Sequence, residues 1–124
     1  MRLIPTRVHG IVDYLTGVLL IALPWLLGFA DGGTAQWVSV IVGVAVLGLA
    51  AMTDFEVGLM RIVPMPAHLM VDLGTGLFLA VSPWLLGFSN RVWLPFLLIG
   101  AFEVIASLTT HRTPEDGVTR TGAL

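Results

Sequence analysis

Four apolar runs, at roughly Val8–Phe29, Ala35–Met52, Ala67–Phe88 and Val92–Leu108, fill most of this 124-residue chain, with only short polar connections between them. Each holds about 17–22 residues, and a helix rising 1.5 Å per residue needs about 20 to cross the ~30 Å apolar core of a bilayer. Lipid offers no hydrogen-bond partners, so each segment must pair its own backbone groups or close into a barrel. Barrel strands would alternate in polarity, and these runs do not. Charged residues make up 11% of the chain against about 25% in soluble domains, and mean hydropathy is +0.94. The pattern predicts an all-α, integral membrane four-helix bundle. The first run resembles a secretory leader only superficially, because it is too long, carries Asp13 and lacks a convincing cleavage site.

Charge placement sets the expected orientation. With four spans, the N-terminus, the Asp54–Pro66 connection and the C-terminus share one side, which holds Arg2, Arg7, Arg61, Arg112 and Arg120. The other side holds only Arg91. Arginine-rich short loops stay in the cytoplasm, so both termini are expected there. Trp25, Trp37, Trp84 and Trp93 cluster toward the opposite face, where amphipathic rings anchor at headgroup level. The tail 111–124 is polar and is expected to be disordered. The absence of cysteine excludes disulfides and thiolate chemistry.

The chain also repeats itself. Arg2, Pro5, His9, Val12, Asp13, Thr16, Gly17, Leu20, Pro24, Trp25, Leu26, Leu27, Gly28 and Phe29 each recur 59 residues later, giving fourteen identities in twenty-eight ungapped positions. Two units follow, 1–56 and 57–110, each of two spans. An even number of spans gives both units the same orientation, related by a pseudo-two-fold axis along the membrane normal. At 100° per residue, His9, Thr16, Gly17, Leu20 and Pro24 all fall within about 60° of Asp13 on one helical face. A polar stripe kept twice is expected to face protein rather than lipid. Gly17 and Gly76 would let spans 1 and 3 approach closely at the centre, with spans 2 and 4 outside. Pro24 and Pro83 each remove an amide and free the carbonyls of Leu20 and Leu79, which predicts a bent outer end or, alternatively, an ion-coordinating carbonyl.

Ser82-Pro83-Trp84 followed by Leu-Leu-Gly-Phe, in the first helix of a two-helix repeat, resembles the SPW-repeat family of small bacterial membrane proteins. The first copy reads Leu23-Pro24-Trp25, so Pro-Trp is the structural part of the motif and the serine is dispensable. The resemblance covers nearly all of residues 2–110 and implies a bacterial inner-membrane protein of tandem two-helix units. It implies no activity or ligand.

The chemistry-bearing residues are His9, Asp13, His68, Asp72 and Glu103, with Thr16 and Thr75 beside them. His and Asp four apart lie one above the other on a helix, and an acidic residue at the centre of a span costs about 2.5–3.5 kcal/mol to insert. Glu103 has its counterpart near Leu47 and so breaks the symmetry. Three readings follow. The polar stripes join the two units in a protein of structural or accessory role, with Arg2, Arg7 or Arg61 able to neutralise the acids. Alternatively, the cluster conducts protons or cations. As a third reading, His9, Asp13, His68 and Asp72 bind a metal ion, or His9 and His68 ligate a haem. No nucleophile triad, phosphate loop or HExxH motif points to an enzyme. Expected partners are the lipid bilayer and, through faces such as Ser39-x3-Gly43, a second copy of the chain; nothing points to nucleic acid.

Overall fold

A computed structural model describes residues 3–54 and 57–111. Arg2, Arg112, Arg120 and residues 112–124 lie outside the described residues; of the tail 111–124 expected to be disordered, His111 alone is described, and its amide donates to the Ile4 carbonyl at 2.9 Å. Four helices follow in order: α1 (Thr6–Leu26), α2 (Thr34–Met52), α3 (Met65–Leu85) and α4 (Leu94–Thr109). The first three are long and apolar enough to cross a membrane. The fourth, with 16 residues, spans about 24 Å. It starts two residues later than the apolar run suggests, because Trp93 has non-helical φ and ψ and Pro95 occupies the first turn.

The odd-numbered helices end identically. Leu26 and Leu85 close α1 and α3, three residues before the apolar runs end. Gly28 and Gly87 take φ of 78° and 80°, the left-handed conformation that terminates helices at low strain. Phe29 N–H then donates to the Pro24 carbonyl and Phe88 N–H to the Pro83 carbonyl, both at 2.8 Å. This fold-back turns both phenylalanines inward onto Phe96, at ring separations of 5.8 and 5.0 Å. Together with Leu20, Leu79 and Val42 they form the apolar core toward the proline end.

The prolines inside α1 and α3 leave no carbonyl stranded. The Ser39 hydroxyl donates to the freed Leu20 carbonyl at 2.6 Å, and the Ser82 hydroxyl to that of Leu79 at 2.8 Å. The second repeat thus supplies its serine from the bent helix itself. The first, with Leu23 at that place, borrows one from α2. Serine is therefore not dispensable but relocated, and both carbonyls are satisfied without an ion.

The tightest helix pairs are α1 with α2 and α3 with α4, that is, within each repeat, and α2 also packs on α3. This corrects the expectation that Gly17 and Gly76 join spans 1 and 3. A Cβ on Gly17 would lie 2.6 Å from Leu47 and 3.0 Å from the Gly43 carbonyl, and one on Gly76 would lie 2.8 Å from the Gly100 carbonyl. Each glycine meets a second glycine on its own partner helix. Ser39 and Gly43 are consequently buried, not an exposed face for self-association. Faces of α1 and α3 do meet across the centre, through the side chains of His9, Asp13, His68 and Asp72.

At the opposite end from the prolines the repeats are tied by short backbone bridges. Ile4 pairs with Thr110 and Val63 with Thr53, both in parallel sense. The Ile4 amide donates to the Thr109 carbonyl at 2.9 Å, and the equivalent Val63 amide to the Met52 carbonyl at 2.8 Å. Polarity is arranged inside out. His9, Asp13, His68, Asp72 and Glu103 are at most 2% exposed, while Leu15, Ile41, Leu98 and Ile105 are about 60% exposed or more. Such a surface suits hydrocarbon, not water.

Candidate functional site: a crossed histidine–aspartate tetrad

The first turns of α1 and α3 carry His9 and His68, and the next turns carry Asp13 and Asp72. The i, i+4 spacing places each pair on one face, and the backbone bridges at that end set the two faces opposite each other. The short bonds are crossed: His9 Nε2 lies 2.7 Å from Asp72 Oδ2, and His68 Nε2 lies 2.7 Å from Asp13 Oδ2. Within each helix the same atoms are 3.2 Å (His9–Asp13) and 2.9 Å (His68–Asp72) apart. The result is a closed ring of alternating nitrogen and oxygen. The imidazoles stand edge to face at 5.5 Å between centroids.

The even-numbered helices complete the ring from outside. His9 Nδ1 is 2.7 Å from the Thr110 hydroxyl, and His68 Nδ1 is 2.5 Å from that of Thr53. Each hydroxyl donates its hydrogen to a carbonyl one turn back, Thr110 to Ala106 and Thr53 to Leu49, both at 2.6 Å. A hydroxyl has one hydrogen to give, so it accepts from the imidazole, and both histidines carry a proton on Nδ1. That leaves one shared proton in each short Nε2···Oδ2 bond. With those protons the tetrad has two positive and two negative charges, or their neutral equivalent, and is balanced in either form.

Thr53 and Thr110 were not singled out by the sequence. The odd helices repeat at 59 residues, but the even ones repeat at 57, as Gly43 with Gly100 and Thr53 with Thr110 show. At that offset the counterpart of Glu103 is Val46 rather than Leu47. Thr16 and Thr75 lie one turn beyond the aspartates and take no part in the ring; Thr16 is buried and Thr75 half-buried. Arg7 and Arg61 are exposed, and the aspartates are paired by the histidines instead.

Glu103 enters from α4. It is 1% exposed, within electrostatic reach of all four tetrad members, and its Cβ packs against Gly76. Both its carboxyl oxygens and Asp13 Oδ1 lack hydrogen-bond partners. The haem alternative meets a steric obstacle, since the aspartate oxygens bridging the two imidazoles occupy the place where a macrocycle would pass. The prolines and tryptophans stand at the other end. Pro24 and Pro83 are buried, Trp25 and Trp84 are 62% and 53% exposed, and Trp84 lies 5.9 Å from Trp93.

These features define a class: a small multi-pass helical membrane protein, apolar outside, with an ionisable ring at one end of its core. A comparison with protein families narrows this further. The SPW repeat domain matches residues 7–110, so the chain belongs to the SPW repeat family. No curated protein and no solved structure matches the chain.

Proposed function

We infer that this protein is a small membrane protein of structural or accessory role, whose two repeats are clasped together by the His–Asp tetrad. The observation that carries this reading is the crossing of the short bonds. Each histidine is held more closely by the aspartate of the other repeat than by its own. The closest helix packing lies within repeats, so between α1 and α3 the polar ring adds a hydrogen-bonded contact to the shared apolar core and the backbone bridges. In an apolar setting, breaking one such bond leaves a buried group unpaired, which costs about 1–3 kcal/mol.

A conduction role has less support from the packing. A relay needs polar groups or water on both sides of the membrane midplane. Beyond the tetrad the core is closed by Leu20, Leu79 and Phe96, each at most 1% exposed. The arginine bias supports an orientation with the tetrad end and both termini on the cytoplasmic side of a bacterial inner membrane. The tryptophans then sit at the outer headgroup level.

The clasp is tested by replacing Asp13 and Asp72 together with Asn and following unfolding by circular dichroism in detergent. The expected result is a loss of about 2–4 kcal/mol with helicity retained below the transition. Unchanged stability, with loss of proton flux in liposomes, would favour conduction and defeat the clasp.

A further inference from the structure

We propose that the ring of His9, Asp13, His68 and Asp72 binds one divalent first-row transition-metal ion, with zinc as the ion to test. The proposal rests on the clasp reading, the ion taking the place of the two bridging protons. Four independent features of the ring support it.

The first is the spacing. One ligand atom from each residue lies within 4.8 Å of all the others. The ring edges are 3.2, 2.7, 2.9 and 2.7 Å. A flat ring with such edges has its centre about 2.0 Å from every corner, close to Zn–N and Zn–O bond lengths. A tetrahedral site with such bonds has edges of about 3.3 Å, so the four observed edges of 3.2, 2.7, 2.9 and 2.7 Å would each have to lengthen by about 0.1 to 0.6 Å.

The second is the tautomer. Metal-binding histidines commonly donate their remote N–H to an acceptor that orients the ring. Here Thr110 and Thr53 accept from Nδ1 and are themselves anchored to helix carbonyls, so both Nε2 atoms face the ring centre. The third is charge. Exchanging two protons for one divalent cation leaves the net charge of the ring unchanged, which an apolar core demands. A monovalent ion or a bound anion would not satisfy that balance.

The fourth is the set of unpartnered oxygens. Among the described residues, the buried side-chain atoms without a hydrogen bond are Asp13 Oδ1 and both oxygens of Glu103. All three belong to this one cluster. Hydrogen bonding inside the ring accounts for the two Oδ2 atoms but leaves these three oxygens as unused acceptors beside the ring. The mixed nitrogen and oxygen donors suit zinc or copper and not magnesium, which prefers oxygen alone.

The test uses the full chain in detergent, stripped with chelator, dialysed, and titrated separately with Zn2+ and Mg2+. The expected outcome is one Zn2+ per chain at micromolar concentration, a raised unfolding temperature and no response to Mg2+. Two protons leave for each ion, so apparent affinity should rise about 100-fold per pH unit. Asp72→Asn should weaken binding at least 100-fold, and Glu103→Gln about tenfold with unchanged stoichiometry. Absence of stoichiometric zinc, or binding without the two-proton slope, overturns the site using the wild-type chain alone, so an unstable variant cannot obscure the result. Stability of Asp13→Asn/Asp72→Asn measured in chelator keeps the two readings separate. A loss there together with no zinc uptake by the wild type removes the metal site and leaves the clasp.

Discussion

His9 and His68 show how little of a residue's role is visible from its own helix. Their spacing to Asp13 and Asp72 made the four residues legible as a cluster, since the same pairs recur at one offset. The wheel geometry could show only neighbours on one helix, and so the stronger partner of each histidine, across the bundle, was hidden. Thr53 and Thr110 were hidden for another reason. They sit where the repeat offset slips from 59 to 57, outside the ungapped match. Their removal is a sharp test of the ring. Thr53→Val and Thr110→Val each keep the shape, strand an Nδ1 proton, and should destabilise the protein by about 1–2 kcal/mol. The pair of substitutions should depart from additivity, because both hydroxyls orient imidazoles in one ring. Unfolding curves of the single and double variants in detergent check both points; strict additivity would mean the two halves of the ring act separately.

At the scale of elements, the ends and the seams of the helices were unequally legible. The Gly28 and Gly87 stops follow from the residue order, because a Leu-Leu-Gly-Phe ending places glycine where a left-handed residue is needed. The glycine seams did not follow, because a small residue on a helix face does not say which neighbour comes close. Gly100 is the tightest case: a Cβ there would lie 2.5 Å from the Gly76 carbonyl and from the Ala80 amide. Gly100→Ala should therefore force α3 and α4 apart and cost about 1–3 kcal/mol. Gly48 and Gly74 offer an internal control, since a Cβ at either would meet nothing within 4 Å. Alanine at those two positions should be neutral or stabilise by up to about 1 kcal/mol, through the lower backbone entropy of the unfolded chain. Thermal melts of the three variants side by side would decide whether backbone contact, and not glycine as such, governs the seams. The exchange of serine between helices is a related lesson. Ser39→Ala and Ser82→Ala should each leave one proline-freed carbonyl unpaired and cost about 1–2 kcal/mol, the first despite lying on a different helix from its proline.

At the scale of the whole molecule, the two ends carry different chemistry. One end holds the ionisable ring, the backbone bridges and, among the described residues, Arg7 and Arg61; the other holds Arg91, the proline bends, the aromatic core and the tryptophans. The two loops at the proline end are joined by an ion pair, Arg91 with Asp31 at 2.9 Å, whose partners are 47% and 44% exposed and which therefore contributes little to stability. That asymmetry allows the orientation to be tested without disturbing the core. The chain has no cysteine, so a single introduced thiol reports its own side of the membrane. Leu59, 80% exposed in the α2–α3 connection, and Asn90, exposed in the α3–α4 turn, lie at opposite ends. In intact bacterial cells, Asn90→Cys should react with a membrane-impermeant maleimide while Leu59→Cys should react only after lysis. The arginine bias demands this result, because moving the tetrad end outward would carry several guanidinium groups across the bilayer against the insertion preference. Labelling of Leu59→Cys in intact cells would reverse the assignment and place the ring, with any ion it holds, in contact with the outside.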